Sequence, residues 1–153
     1  MLLCGAGKSW SMSRYCIEDL VVGQQAFIEK PVMESDIEIF AEVTGDHNPV
    51  HLDETYAAGT FFKGRIAHGM LSAGFISAVI GMKLPGPGAI YMSQTLRFLA
   101  PVRIGDEVKT VVRVETIDLD RKRSQLLCWC EVAGKRVVEG EALVYVPSRA
   151  AKS

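Results

Sequence analysis

The sequence has 153 residues, 48% of them hydrophobic, with 17 basic against 18 acidic side chains and a net charge of -1. That length and apolar content suit one compact domain with a proper core and argue against two independent ones. The balanced charge leaves no basic stripe to follow a phosphate backbone, which excludes nucleic acid as a partner.

The chain opens MLLCGAGKSWSMSRYC. Its GAGKS imitates the end of a phosphate-binding loop, but Leu2 stands where that loop needs its first glycine, and no apolar strand precedes it. Two leucines ahead of Cys4 fall short of the roughly 7 to 15 apolar residues of a signal peptide. Lys8 and Arg14, several serines and no acid before Glu18 are compatible with an organelle transit segment, and equally with an extension ahead of a start at Met12. Residues 1–13 are therefore read as an N-terminal extension, 14–148 as a single domain and 149–153 as a tail. Cys4, Cys16, Cys128 and Cys130 have no zinc-site spacing. Cys128 and Cys130 lie two apart in a strand-like run, so both point to one face as small apolar side chains. Reduced thiols fit a cytoplasmic protein, or a mitochondrial one if the first segment is a transit peptide.

From Arg14 to Pro31 the chain reads as a short lead-in strand or loop, punctuated by Gly23. Ser35 and Glu38 have capping-box spacing, Ile37, Phe40 and Ala41 form an apolar stripe, and Gly45 ends the predicted helix. Asn48-Pro49 is turn chemistry, and Asp53 can cap a further short helix through Ala58. In RIAHGMLSAGFISAVIGMKLPGPG, apolar residues from Met70 to Met82 cover most of the helical circumference, which predicts a helix enclosed on several sides. It is too short for a membrane span of about 20 apolar residues, and LPGPG stops it. AIYMSQTLRFLAPV, DEVKTVVRVETI, SQLLCWCEVA and RVVEGEALVYVP then change to strand period, with links short enough for antiparallel neighbours. One enclosed helix and four consecutive antiparallel strands predict an α+β fold with a sheet curved around the helix.

TGDHNPVHLDETYA concentrates unusual chemistry, holding two of only three histidines in the chain. His47 and His51 have the i, i+4 spacing that zinc uses on a helix, but Pro49 sits between them and no third ligand stands at a telling spacing, so no metal is expected. Taken singly, Asp46 is a cap, Asn48-Pro49 a turn and His51 a satisfied buried histidine. Against that stands the third histidine, His68, beside Gly69 at the start of the enclosed helix. Free N–H groups there stabilise an oxygen gaining negative charge, and Gly69 has no side chain to block an approaching carbonyl. An acid/base pair of Asp46 and His51 with such a donor is what adding water across a carbonyl-conjugated double bond requires.

TGDHNPVHLD, IAHGML and LPGPGAIYMSQTLRFLAPVRIGDEV, in this order, resemble the MaoC-like, (R)-specific enoyl-CoA hydratases of the hot-dog superfamily, over about Glu18 to Pro147. The resemblance implies a hot-dog fold, an antiparallel sheet wrapped around a long central helix, and a homodimer. It implies syn hydration of a trans-2-enoyl thioester to the (R)-3-hydroxyacyl thioester, and the reverse dehydration, without metal or redox cofactor. Asp46 and His51 fall on the catalytic pair, Asn48 on a residue orienting the water, and Gly69 on the amide that binds the thioester carbonyl. His68 takes a supporting role, and His47 falls where the family varies. Ser77, Ile80 and Leu143 fall near the acyl pocket. CoA or acyl carrier protein carries the substrate, with Lys63, Arg65, Arg97 and Arg103 as candidate phosphate contacts, though scattered basic residues are more often solvated surface. A hot-dog thioesterase would not need the Asp-x-Asn-Pro-x-His arrangement, and a non-catalytic acyl-thioester-binding subunit would not need to retain both members of the pair.

Overall fold

The structure is a computed structural model and describes residues 13–149. The phosphate-loop, signal and transit readings fall largely on residues 1–12, outside the described residues. Strand β1 (Gln25–Pro31) leads into helix α1 (Glu34–Thr44). Two short helices follow, α2 (Pro49–Leu52) and α3 (Glu54–Ala58), and then the long helix α4 (Gly69–Met82). Strands β2 (Ile90–Phe98), β3 (Glu107–Asp118), β4 (Arg123–Val132) and β5 (Lys135–Tyr145) complete the chain.

All five strands form one antiparallel sheet in the order β1-β3-β4-β5-β2. The inward side chains of β3, β4 and β5, among them Val112, Leu126, Cys128, Ala142 and Val144, close over Phe75, Ile76, Val79 and Ile80 of α4 in one core. This is the hot-dog arrangement. Cys128 and Cys130 lie in that core as free thiols, and burial pushes them up to about 12 and about 11, so they are inert at neutral pH. Among the described residues, no helix is long and apolar enough to cross a membrane.

The structure departs from the sequence expectations in three places. Helix α1 begins before Ser35, and Asp36 supplies the returning acid, accepting from the Met33 N–H at 2.9 Å and pairing with Lys30 of β1 at 2.6 Å. A motif read within the helix alone omits the lysine that fixes which acid turns back. Secondly, β2 and β3 are not neighbours. Their link exchanges backbone bonds with Val137, Ala67 and Val32, so β2 passes to the far edge and pairs with β5 while β1 takes the place beside β3. Short links permit hairpins without requiring them.

Thirdly, α4 is not enclosed all round within one chain. Ser72, Phe75, Ile76, Val79 and Ile80 are buried at helical spacing, whereas Met70, Gly74, Ser77 and Gly81 are exposed along the opposite face. Neighbouring β2 is exposed on both faces along much of its length and forms one of the two edges of the sheet.

Candidate active site

Gly45 ends α1 in the left-handed conformation (φ 78°), its N–H donating to the Ala41 carbonyl at 2.8 Å. That turn throws Asp46 out of the helix. The Asp46 Oδ1 accepts from the Asn48 N–H at 3.2 Å, and Asn48 Oδ1 in turn accepts from the Val50 N–H at 3.2 Å, capping α2 with Pro49 in its first position. Two successive side-chain turns thus carry the backbone from the carboxylate to His51. Asp53 then caps α3 as the sequence predicts, through the Tyr56 N–H.

His51 is buried, and its Nδ1–H donates to the Ile66 carbonyl at 2.8 Å. The ring therefore presents Nε2 with its lone pair free, the state in which it takes a proton. Burial pushes the His51 imidazole below its usual range, aided by His68 and opposed by the Ile66 carbonyl and Asp46. His68, also buried, donates from Nε2 to the Asp46 carbonyl at 2.9 Å. Its ring is tilted against His51 at 3.9 Å between centroids and against Phe40 at 4.7 Å, and its Nδ1 has no hydrogen-bond partner. His68 thus holds the backbone of Asp46 from the head of α4.

Among the described residues, a ligand atom from each of Asp46, His51 and His68 lies within 4.8 Å of the others. One water bridging the Asp46 carboxylate and the His51 imidazole fits such a separation. The same three groups could hold a metal ion, a set that differs from the His47/His51 pair suggested by spacing. Pro49 starts α2 after His47, which swings out to pair with Glu42 at 3.1 Å.

Gly69 opens α4, so its N–H belongs to the first turn, where the helix offers no internal partner. It lines a cleft of about 460 Å³ together with His51, His68, Phe62, Phe98 and Val138. A Cβ on Gly69 would come within 2.6 Å of the Phe98 ring, so the glycine is needed for this close approach as well as for an open amide. Gly69→Ala is expected to displace Phe98 into the cleft and to lower kcat by about ten- to a hundredfold with little loss of stability, since the ring lies at the surface. Steady-state rates and thermal unfolding check this; an unchanged kcat would remove the Gly69 amide from the chemistry.

A second cleft of about 600 Å³ lies on the open side of α4, lined by Asp46, Phe40, Ser77, Tyr91 and Leu96. Of the residues placed near the acyl chain by resemblance, Ser77 lines this cleft and Ile80 packs in the core beneath the helix. Leu143 alternates with the core residues Ala142 and Val144, so its side chain lies on the face of the sheet away from α4. Of the candidate phosphate contacts, Arg103 donates to the Phe62 carbonyl at 2.6 Å, and Arg65 is tied to His51 and Glu34. Arg97 lies 3.8 Å from Glu139, and Lys63 is exposed. Phe98, Phe40 and the Ile66 carbonyl carry no local signal of their part in the site, because each arrives through tertiary packing.

Residues 22–127 match the family described as MaoC like domain. The chain is 56% identical over 132 residues to an (R)-specific enoyl-CoA hydratase of Rhodospirillum rubrum, covering 86% of this chain and 92% of that one. It is 54% identical over 132 residues to a 3-hydroxybutyryl-CoA dehydratase of Methylorubrum extorquens, covering 86% and 84%. An R-hydratase of Pseudomonas aeruginosa superposes with a TM-score of 0.82 at 48% identity, covering 88% and 86%. With its hot-dog core and its carboxylate and two imidazoles gathered at the head of the central helix, the chain belongs to the MaoC-like domain family.

Proposed function

We propose that Asp46 and His51 are the acid/base pair of an (R)-specific hydro-lyase, which adds water to trans-2-enoyl thioesters and removes it from (R)-3-hydroxyacyl thioesters. The observation that carries this reading is the meeting of the Asp46 carboxylate and the buried His51 imidazole within 4.8 Å, beside a cleft that contains the first amide of α4. Water held between the two, with the Asn48 side-chain amide at hand, faces the β-carbon of a substrate whose thioester carbonyl receives the Gly69 N–H. As oxygen bonds to that carbon, the pair removes a proton from the water, and charge moves to the thioester oxygen under the helix terminus. The same pair returns a proton to the α-carbon from the same side, which gives syn addition.

Activation comes from the thioester, and we assign no metal to the reaction. CoA or acyl carrier protein carries the substrate. Loss of crotonyl-CoA absorbance on adding the protein, with the product oxidised by an (R)-specific 3-hydroxyacyl dehydrogenase, is the expected result, unchanged by EDTA. An (S) product, or free CoA without hydration, would overturn the reading. Inhibition by EDTA reversed by zinc would overturn the metal-free chemistry.

The working unit is a homodimer. Supporting this are the unpaired edge of β2, with Ile90, Tyr91, Met92 and Phe98 exposed, and the bare face of α4 beside it, in a helix whose apolar residues cover most of its circumference. A second copy paired along β2 would cover both at once. Sedimentation velocity is expected to give twice the chain mass; a monomer at assay concentration would refute this arrangement.

A further inference from the structure

Helix α2, which carries His51, is only four residues long, too short to hold itself in place. Its position depends on bonds from outside, and three of them converge on His51 and its neighbour from consecutive residues of the loop before α4. The Ile66 N–H donates to the Val50 carbonyl at 3.3 Å, the Ile66 carbonyl accepts from His51 Nδ1 at 2.8 Å, and Arg65 Nε donates to the His51 carbonyl at 2.8 Å. Arg65 is itself held at three further points. Its Nη1 donates to Glu34 at the start of α1 at 2.5 Å, and its side chain is 13% exposed. Its backbone N–H donates to Glu54 at 3.2 Å, and its carbonyl accepts from Arg103 at 3.4 Å.

We propose that Arg65 is a positioning residue for this reaction, a strap that fixes the backbone of His51 while the next residue fixes its ring. The proposal rests on the reading of His51 as the proton-transferring imidazole. A guanidinium suits this place because its planar fork reaches the His51 carbonyl and the Glu34 carboxylate in two set directions at once, whereas a lysine offers one mobile point charge. Bound in this way, Arg65 is not available to a phosphate of the carrier. Titratable or charged groups around His51 are Asp46 after α1, His68 at the head of α4, and Arg65 with Glu34 and Glu54 behind it. Loosening the strap lets water reach the imidazole and relaxes the burial that holds its titration low.

Arg65→Met is expected to lower kcat about ten- to thirtyfold with KM within about twofold, the loss that follows from misplacing a reacting group. The acid limb of its pH profile is expected to move to higher pH, and Arg65→Lys to recover only part of the rate. A protein merely losing folded fraction would lose rate without moving that limb. The assay is run in parallel with crotonyl-CoA and crotonyl-pantetheine, which lacks the nucleotide. A raised KM with kcat kept, confined to the CoA substrate, would make Arg65 a phosphate contact and overturn the proposal. An unshifted acid limb would also overturn it. Should Arg65→Met not fold, Glu34→Ala removes the strap's far anchor; it is expected to reduce kcat about two- to fivefold with the same direction of limb shift, and wild-type values in both would overturn the proposal. His51→Ala separates the two levels: an inactive His51→Ala beside a wild-type Arg65→Met ends the strap alone, whereas a fully active His51→Ala ends the reading beneath it.

Discussion

Replacing His51 by alanine is expected to lower kcat for crotonyl-CoA hydration by about three orders of magnitude, the range for losing a positioned acid/base group. KM should change little, because the cleft is otherwise built from Phe62, Gly69, Phe98 and Val138. The substitution also strands the buried Ile66 carbonyl, which accepts from His51 Nδ1. An unmet buried acceptor costs about 1–3 kcal/mol, a fall in Tm of roughly 2–10 °C for a chain of this size. Rate and stability therefore fall together but by amounts that can be told apart: so small a stability loss leaves most of the enzyme folded at 25 °C and cannot account for a thousandfold fall in rate. In the wild type, burial holds His51 in its basic form at neutral pH, so the acid limb of kcat/KM lies below the ordinary imidazole range. Stability follows the same sign. A folded-state value below the unfolded one gives a contribution fully present above about pH 6.5 and lost as pH falls through the folded value. Near-wild-type turnover in His51→Ala, or an acid limb surviving in its residual activity, would remove the imidazole from the chemistry.

The parts of this site that are legible in the sequence are those made by local backbone chemistry. Gly45 stops α1, Asp53 caps α3, and Gly69 opens α4, because glycines and short polar side chains act within three or four residues of themselves. Those stops place Asp46 on irregular backbone and His51 on the short α2 at one end of the central helix, where the sequence already suggests an acid/base pair. What is not legible depends on partners distant in the chain. The tilt of His68 against His51 joins residues 17 positions apart, and the Arg65 strap joins α1, α2 and the loop before α4. The place of β2 at the far edge is set by where its following link finds hydrogen bonds, which spacing does not encode. Leu143 shows the same limit in one strand. Both phases of EALVYV carry apolar residues, so the alternation that buries Ala142, Val144 and Val146 could as well have buried Leu143 and Tyr145.

Asp46→Asn is expected to lower kcat by about two to three orders of magnitude while leaving Tm unchanged, a pattern unlike that of His51→Ala. Asparagine keeps the shape of the side chain and an oxygen to accept the Asn48 N–H, so the turn into α2 survives. Asp46 lies at the surface of the single chain, so no buried acceptor is stranded. What disappears is the carboxylate, and with it the group proposed to grip a bridging water and carry its proton. The charge also acts on its partner: Asp46 raises the titration of His51 against the effect of burial. Neutralising it should move the acid limb of the residual activity to lower pH, opposite to the shift expected for Arg65→Met. Two variants on either side of one imidazole, pulling its titration in opposite directions while both slow turnover, would be the signature of a histidine held between a charge and a strap. A shift in the same direction for both, or none for Asp46→Asn, would mean that Asp46 and His51 do not sense one another.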